Sequence, residues 1–390
     1  MSDTRAVRVR PVIVLAAVLV ATAAMSMATA AGATAGRSPV GVRPVTSVRP
    51  LRGAVHHAGP HVPQLKTWSS KVKVSGTTYN FTMVGKNPKK VQTSPSTTVT
   101  VPVIPLIIKY GTFTSDPTVV HTGCETESAV DRFVASPIFD ATTTYTMNGV
   151  NEGPTQYVDA FQRANFNKFT KPGGKNPGYH VDLSYSIKPA ITVTAPAGTT
   201  HGTGCNAYGS VEINWFDNYV INTLFPQVEA SDGVTPAQFP LFLVRSVVWY
   251  ISSPANCCVL GYHGAFDNPR FGSALQTYSP TDMELSGAFG SITDTSVAAH
   301  EVAEWMDDPT GDNPTPAWGH IGQVSGCQDN LEVGDPLTGT NIPTVTLAGF
   351  AYHLQELAFF SWFYHQSPSW GAGGKYSDNG TFTTFAAPCP

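Results

Sequence analysis

The thirteen residues from Asp294 to Met306 (DTSVAAHEVAEWM) constrain this chain more than any other stretch. They begin with residues that cap helix N-termini and stop short of Pro309, so the pattern predicts a helix over 294–306. Val297, Val302, Trp305 and Met306 give that helix an apolar side, which places it against a core. His300 and Glu304 are four residues apart, about one turn at roughly 3.6 residues per turn, and project from one face. Glu301 follows His300 and lies about 100° around the axis.

That spacing has a chemical reading. In a helical His-Glu-x-x-His pattern the two histidines hold zinc and the glutamate takes a proton from metal-bound water. Here Glu304 stands where the second histidine would be. A carboxylate oxygen binds zinc at a distance similar to an imidazole nitrogen. It also lowers the net charge left on the metal, which weakens the Lewis acid or favours an ion harder than zinc. The expected roles are therefore metal ligation by His300 and Glu304 and general-base action by Glu301, with zinc as the ion. The third ligand must come from elsewhere. Glu332 and Asp335, in the segment GCQDNLEVGDP, are equal candidates, followed by His320 in WGHIG and His263 in GYHGAF. Asp307, Asp308 and Asp312 (DDPTGD) offer oxygens to calcium, but the EF-hand spacing is missing and a solvated Asp-Pro turn is the expectation. A competing reading joins His300 and the acids in a buried hydrogen-bond network without metal.

The N-terminus bears on compartment. Arg5, Arg8 and Arg10 precede an apolar run over 12–27, and small residues at 28–33 offer a cleavage site, so 1–33 reads as a signal peptide of a secreted, extracellular protein. No later stretch has the length of apolar residues that a membrane helix requires, so no membrane is expected as a partner after cleavage. Residues 34–64 mix Ala, Gly, Pro, Val and Arg without period and read as a flexible linker or pro-segment. The remainder, 65–390, is expected to be a single globular domain. Seven of the 23 basic residues and one of the 27 acidic ones lie in 1–64, leaving the rest of the chain with 16 basic and 26 acidic residues. Such a balance has no footprint for nucleic acid. Six cysteines in an exported chain predict up to three disulfides. Cys257 and Cys258 are adjacent and are expected to reach two different partners.

Coarse patterning predicts an α/β (α+β), loop-rich domain with a mixed or antiparallel sheet. Thr97–Tyr110 (TTVTVPVIPLIIKY) reads as a strand whose prolines suit an edge or an irregular position. Segments 180–194, 210–216 and 239–251 read as further strands, and 128–139, 156–167 and 352–364 as helices, with Tyr157, Phe161 and Phe166 toward a core. Trp318 and Trp370 look exposed. No GxSxG, P-loop or dinucleotide fingerprint appears, so serine hydrolase, nucleotidase and dehydrogenase chemistry lack support.

Four blocks carry a resemblance: SVAAHEVAEWMDDP, GCQDNLEVGDP, YHLQELAFFSWF and NGTFTTF. With QYVDAFQRANF and CCVLGYHGAF they resemble uncharacterised secreted bacterial proteins that have a His-Glu-x-x-Glu helix followed by Glu-x-Gly-Asp. The short blocks are more distantly similar to the plant EXORDIUM, or phosphate-induced, proteins. The resemblance implies a zincin-like, metallopeptidase-like helix, with His300, Glu301, Glu304, Glu332 and Asp335 as the shared polar positions. The expected activity is zinc-dependent hydrolysis of a peptide. The plant likeness implies instead a non-catalytic extracellular protein that binds a cell-wall polymer or partner.

Overall fold

The computed structural model describes residues 45–52, by backbone alone, and residues 62–389, so the expected signal peptide lies outside the described residues. The chain opens with β1 (Val45–Arg52) and the hairpin of β2 (Thr67–Val74) and β3 (Thr77–Val84), which turns on Ser75 and Gly76 at positive φ. The β-branched run then forms β4 (Thr97–Tyr110), followed by β5 (Phe113–Ser115), α1 (Ala129–Val134), the hairpin β6 (Thr144–Met147) and β7 (Val150–Pro154), α2 (Tyr157–Asn165) and α3 (Asn167–Thr170). Four strands come next: β8 (Val181–Ile187), β9 (Ile191–Thr194), β10 (Thr199–His201) and β11 (Tyr208–Glu212). Helices α4 (Ile213–Tyr219) and α5 (Phe225–Asp232) follow, joined by a π-helical turn. Strands β12 (Leu241–Arg245), β13 (Val247–Tyr250), β14 (Cys257–Asn268) and β15 (Ala274–Met283) lead into the motif helix, α6 (Ser296–Asp307). The hairpins β16 (Pro314–Gly319)–β17 (Cys327–Asn330) and β18 (Thr344–Leu347)–β19 (Phe350–His353) precede the short α7 (Phe360–Phe363).

One large mixed sheet organises these elements. Its main order is β10-β11-β13-β14-β15-β12-β4-β5, with β1 added beside β14 and β8 and β9 beside β4. Pairs β12–β15 and β12–β4 are parallel, whereas β13–β14 and β14–β15 are antiparallel. Side chains alternate across the sheet, as the two-residue period of a strand dictates. Leu241 and Leu243 of β12 join a core with Val302, Trp305 and Met306 of α6 and Phe161 of α2. Phe242 and Val244 face the opposite core, filled by Phe216, Val220, Phe225 and Val228 around α4 and α5. The sheet is thus buried on both faces, and α6 lies on one of them. No described helix is long and apolar enough to cross a membrane.

Several expectations are corrected. The proline-containing strand β4 is interior, with β8 and β9 on one side and β12 on the other. Pro105 falls between the β8 register, which ends at Val103, and the β9 register, which begins at Leu106, so no donor is needed from it on that side. Within the expected linker, residues 45–52 form β1, parallel to β14. Segment 210–216 is not one strand, because the Glu212 side chain accepts from the Trp215 backbone N–H at 2.7 Å and starts α4. The run 239–251 is two strands, broken at Ser246 with φ 47°. Only Phe360–Phe363 of the expected last helix is helical, and Phe350–His353 is a strand, although the aromatics are buried as expected. Trp318 is fully buried against Trp362 and Phe363, and Trp370 stacks on Phe360. Disulfides join Cys124 to Cys205 and Cys327 to Cys389. Cys257 bonds to Cys258 itself, across a cis peptide that brings the two Cα atoms to 3.1 Å.

Two features seat α6. A Cβ on Gly261 of β14 would come within 2.6 Å of Val297 Cγ1 and 3.1 Å of Glu301 Cγ, so only glycine lets the helix approach the sheet so closely there. At its C-terminus, Asp307 accepts from Gln162 Nε2 at 2.6 Å and from Asn165 Nδ2 at 2.9 Å, which ties α6 to α2. Gln162→Leu keeps the volume but removes one buried donor. Its expected cost is about 1–3 kcal/mol, the usual range for an orphaned buried partner. A denaturant melt against the parent chain measures it, and an unchanged midpoint would show that this link carries no stability.

Candidate metal centre

Every residue of α6 is buried, including its two glutamates and its histidine. The one-turn spacing brings His300 Nε2 to 2.9 Å from Glu304 Oε1, and Asp335 Oδ1 arrives at 3.4 Å from the same nitrogen. Ligand atoms from His300, Glu304 and Asp335 all lie within 4.8 Å of one another. The Gly-rich segment after β17 makes this approach feasible. A Cβ on Gly334 would sit 2.4 Å from His300 Nδ1, and the Gly334 N–H donates to Glu304 Oε1 at 3.0 Å. Side-chain amides of Gln323 and Gln328 donate to the two oxygens of Asp335 and fix its carboxyl plane.

Of the two acids expected to compete as third ligand, Asp335 joins His300 and Glu304, while Glu332 faces the Glu304 carboxyl. Asn330 Nδ2 donates to Glu332 Oε1 at 2.7 Å, and Glu332 Oε2 meets no N–H donor. His263, named with His320 behind the two acids, is at the centre of the site. Its Nδ1 is 3.2 Å from Glu301 Oε2 and 3.8 Å from Glu304 Oε2, and ligand atoms of these three residues form a second cluster within 4.8 Å. His320 is not part of the centre: it is exposed and lies beside Cys327. Neither is the DDPTGD loop the solvated turn expected, since Asp307 and Asp308 are fully buried. The Asp308 carboxylate accepts from the backbone N–H groups of Asp312 and Asn313, and Asp307 serves α2, so both carboxyl groups have protein donors.

The electrostatics are those of charges taken out of water. Burial pushes the Glu301 carboxyl up to about 7, against the opposing pull of His263 and His300. Burial, then the charge of Glu304, raises Asp335 to about 6, and the same two causes hold Glu332 well above the usual carboxylate range. Glu304 goes the other way: burial alone would raise it, but the imidazoles of His300 and His263 draw it below its ordinary value. His300 is raised well above its ordinary value because Glu304 and Asp335 outweigh the burial that opposes its charge. Four carboxyl groups and two imidazoles therefore share one water-poor volume. Among the described residues, no lysine or arginine is paired with any of the four acids. The oxygens Glu301 Oε1, Glu304 Oε2 and Glu332 Oε2 are buried and meet no N–H donor, while Glu304 and Glu332 are close enough to share a proton between their carboxyl groups. Buried anionic oxygens without donors cost several kcal/mol unless a cation or proton meets them, which is the fit expected of a metal site.

Asp335 could not be separated from Glu332 in the sequence, because both fall in one short loop. Nor was there a sequence signal for the supporting glutamines Gln323 and Gln328. The signal for His263 was its distance ahead of the motif helix, enough for it to come from a neighbouring strand or loop. Comparison of the chain with models of protein families, with curated proteins and with solved structures finds no match.

Proposed function

We propose that the chain is a secreted, zinc-dependent hydrolase that acts on peptides, with its metal held by His300, Glu304 and Asp335. The observation that carries the reading is the convergence of these three side chains on one point of a helix that also presents Glu301. A bound zinc would polarise the scissile carbonyl and acidify water. Glu301 Oε1, which meets no protein donor, is the oxygen available to take the proton. The Glu304 carboxylate is oriented by the Gly334 N–H, and the Asp335 carboxylate by Gln323 and Gln328, the kind of outer support that fixes ligand geometry. Stability alone is a poor reason for this constellation, since apolar residues of similar volume usually do as well as a buried ionic cluster. Structural zinc sites, moreover, are commonly built with thiolates, and all six cysteines here are in disulfides.

A second reading is favoured by burial. None of His263, His300, Glu301 and Glu304 has any exposed surface, and a closed-over metal is the mark of a structural centre in a non-catalytic extracellular protein of the EXORDIUM-like kind. Elemental analysis of the exported protein, combined with hydrolysis of a mixed peptide library, separates the two. Glu301→Gln is isosteric but cannot accept the proton, so turnover is expected to fall by roughly 10²–10⁴-fold. Metal present without any peptide cleavage would decide for the structural reading, and cleavage indifferent to Glu301→Gln would take the general-base role from Glu301.

A further inference from the structure

We infer that the centre takes two divalent cations, bridged by the Glu304 carboxylate, the second held by His263 Nδ1, Glu301 Oε2 and Glu304 Oε2. The inference rests on the metal-site reading above and adds a site that the motif helix alone does not specify. The two ligand clusters share one residue. Glu304 turns Oε1 toward His300, at 2.9 Å, and Oε2 toward His263, at 3.8 Å, and each trio offers its ligand atoms within 4.8 Å. A carboxylate aimed in two directions at two histidines is the arrangement a bridging ligand adopts.

The orientation of His263 is independent support. Its Nε2 lies 3.0 Å from the Asp308 carbonyl oxygen. A carbonyl can only accept, so Nε2 carries a proton, and Nδ1 faces Glu301 and Glu304, where it donates to Glu301 when the ring is charged and would offer its lone pair to a cation when the ring is neutral. Metal-ligating histidines characteristically donate their far N–H to a backbone carbonyl or carboxylate in this way. The oxygens without N–H donors sit where the second ion is needed: Glu304 Oε2 is a ligand, Glu332 faces it, and Glu301 Oε1 stays free of the metal and keeps its role as proton acceptor.

Charge balance points the same way. Fully ionised, as metal ligation requires, the four carboxyl groups would carry four negative charges in a buried volume, and among the described residues none of them pairs with a lysine or arginine. One divalent cation cancels half of that charge, and two cancel all of it with both imidazoles neutral. The donor set, two histidines and four carboxylates, is also the complement found in dinuclear carboxylate centres of helical bundles, here assembled from one helix, one strand and one loop.

The test is stoichiometry. The full exported chain is stripped with chelator, titrated with zinc chloride or manganese chloride alone, freed of excess ion and analysed for metal per chain. About two ions per chain are expected, falling to about one in His263→Ala and in the better-packed His263→Gln, as a lone ligand trio can hold one ion. With manganese, spin resonance should show an exchange-coupled pair in the parent and an isolated ion in the variants. One ion in both parent and variants would overturn the bridged pair and leave the single-metal reading standing. Two ions in the variants would also overturn it, placing the second ion elsewhere. No ion in any of them would overturn both readings.

Discussion

Replacing His300 by alanine is expected to abolish peptide hydrolysis and to shrink the stability lost to chelator to the share of any ion held by His263, Glu301 and Glu304, whereas the parent should lose about 4 kcal/mol when a metal held at roughly a thousand times its Kd is stripped. The physical basis is that His300 Nε2 is the point on which Glu304 and Asp335 converge, at 2.9 and 3.4 Å. Without the imidazole, two buried carboxyl groups face each other and a ligand is gone. The variant should be less stable than the metal-loaded parent for both reasons. Chelator response, and not the midpoint itself, therefore carries the conclusion. His300→Gln, which retains most of the volume against Gly334, controls for packing. If the parent melts at the same denaturant concentration with and without chelator, the six residues form a buried polar network with no ion, and the hydrolase reading falls with it.

How far this centre was legible in the sequence depended on how local each relationship is. The helix and the pairing of His300 with Glu304 follow from a period of about 3.6 residues, a property of the thirteen consecutive residues 294–306. Asp335 and His263 reach the same point through a loop and a sheet, and their approach is set by Gly334 and Gly261, whose importance lies in the absence of a Cβ. A sequence shows a glycine but not the side chain that fills its space. The misread DDPTGD loop has the same cause. Its acids look solvated because aspartate and glycine suit exposed turns, yet Asp307 is satisfied by Gln162 and Asn165, more than 140 residues earlier in the chain. Strand Thr97–Tyr110 was legible as a strand from its β-branched content, while its central place was not, because the gap that tolerates Pro105 is created by two other strands.

Trp305→Ala is expected to cost about 3–5 kcal/mol of stability, the usual range for truncating a fully buried tryptophan, and to weaken metal binding as well. Trp305 has no exposed surface and stacks on Phe239 with ring centroids 3.8 Å apart and planes 10° from parallel. Its indole N–H donates to Thr277 Oγ1 on β15 at 3.0 Å. One side chain thus fixes α6 against the entry to β12 by stacking and against β15 by a directional bond. Because Glu304 is the preceding residue, any rotation of α6 that fills the cavity re-aims the carboxylate on which both ligand clusters depend. Trp305→Phe separates the two contributions: it keeps an aromatic face for Phe239 but leaves the Thr277 hydroxyl without its donor, so its cost should be nearer to about 1–3 kcal/mol. Denaturant melts of chelated protein give the packing loss alone, and zinc titration of the folded variants gives the effect on the site. A Trp305→Ala variant that is destabilised yet binds zinc as tightly as the parent would mean that the ligands are positioned by the loop carrying Gly334 and Asp335, with α6 free to adjust beneath them.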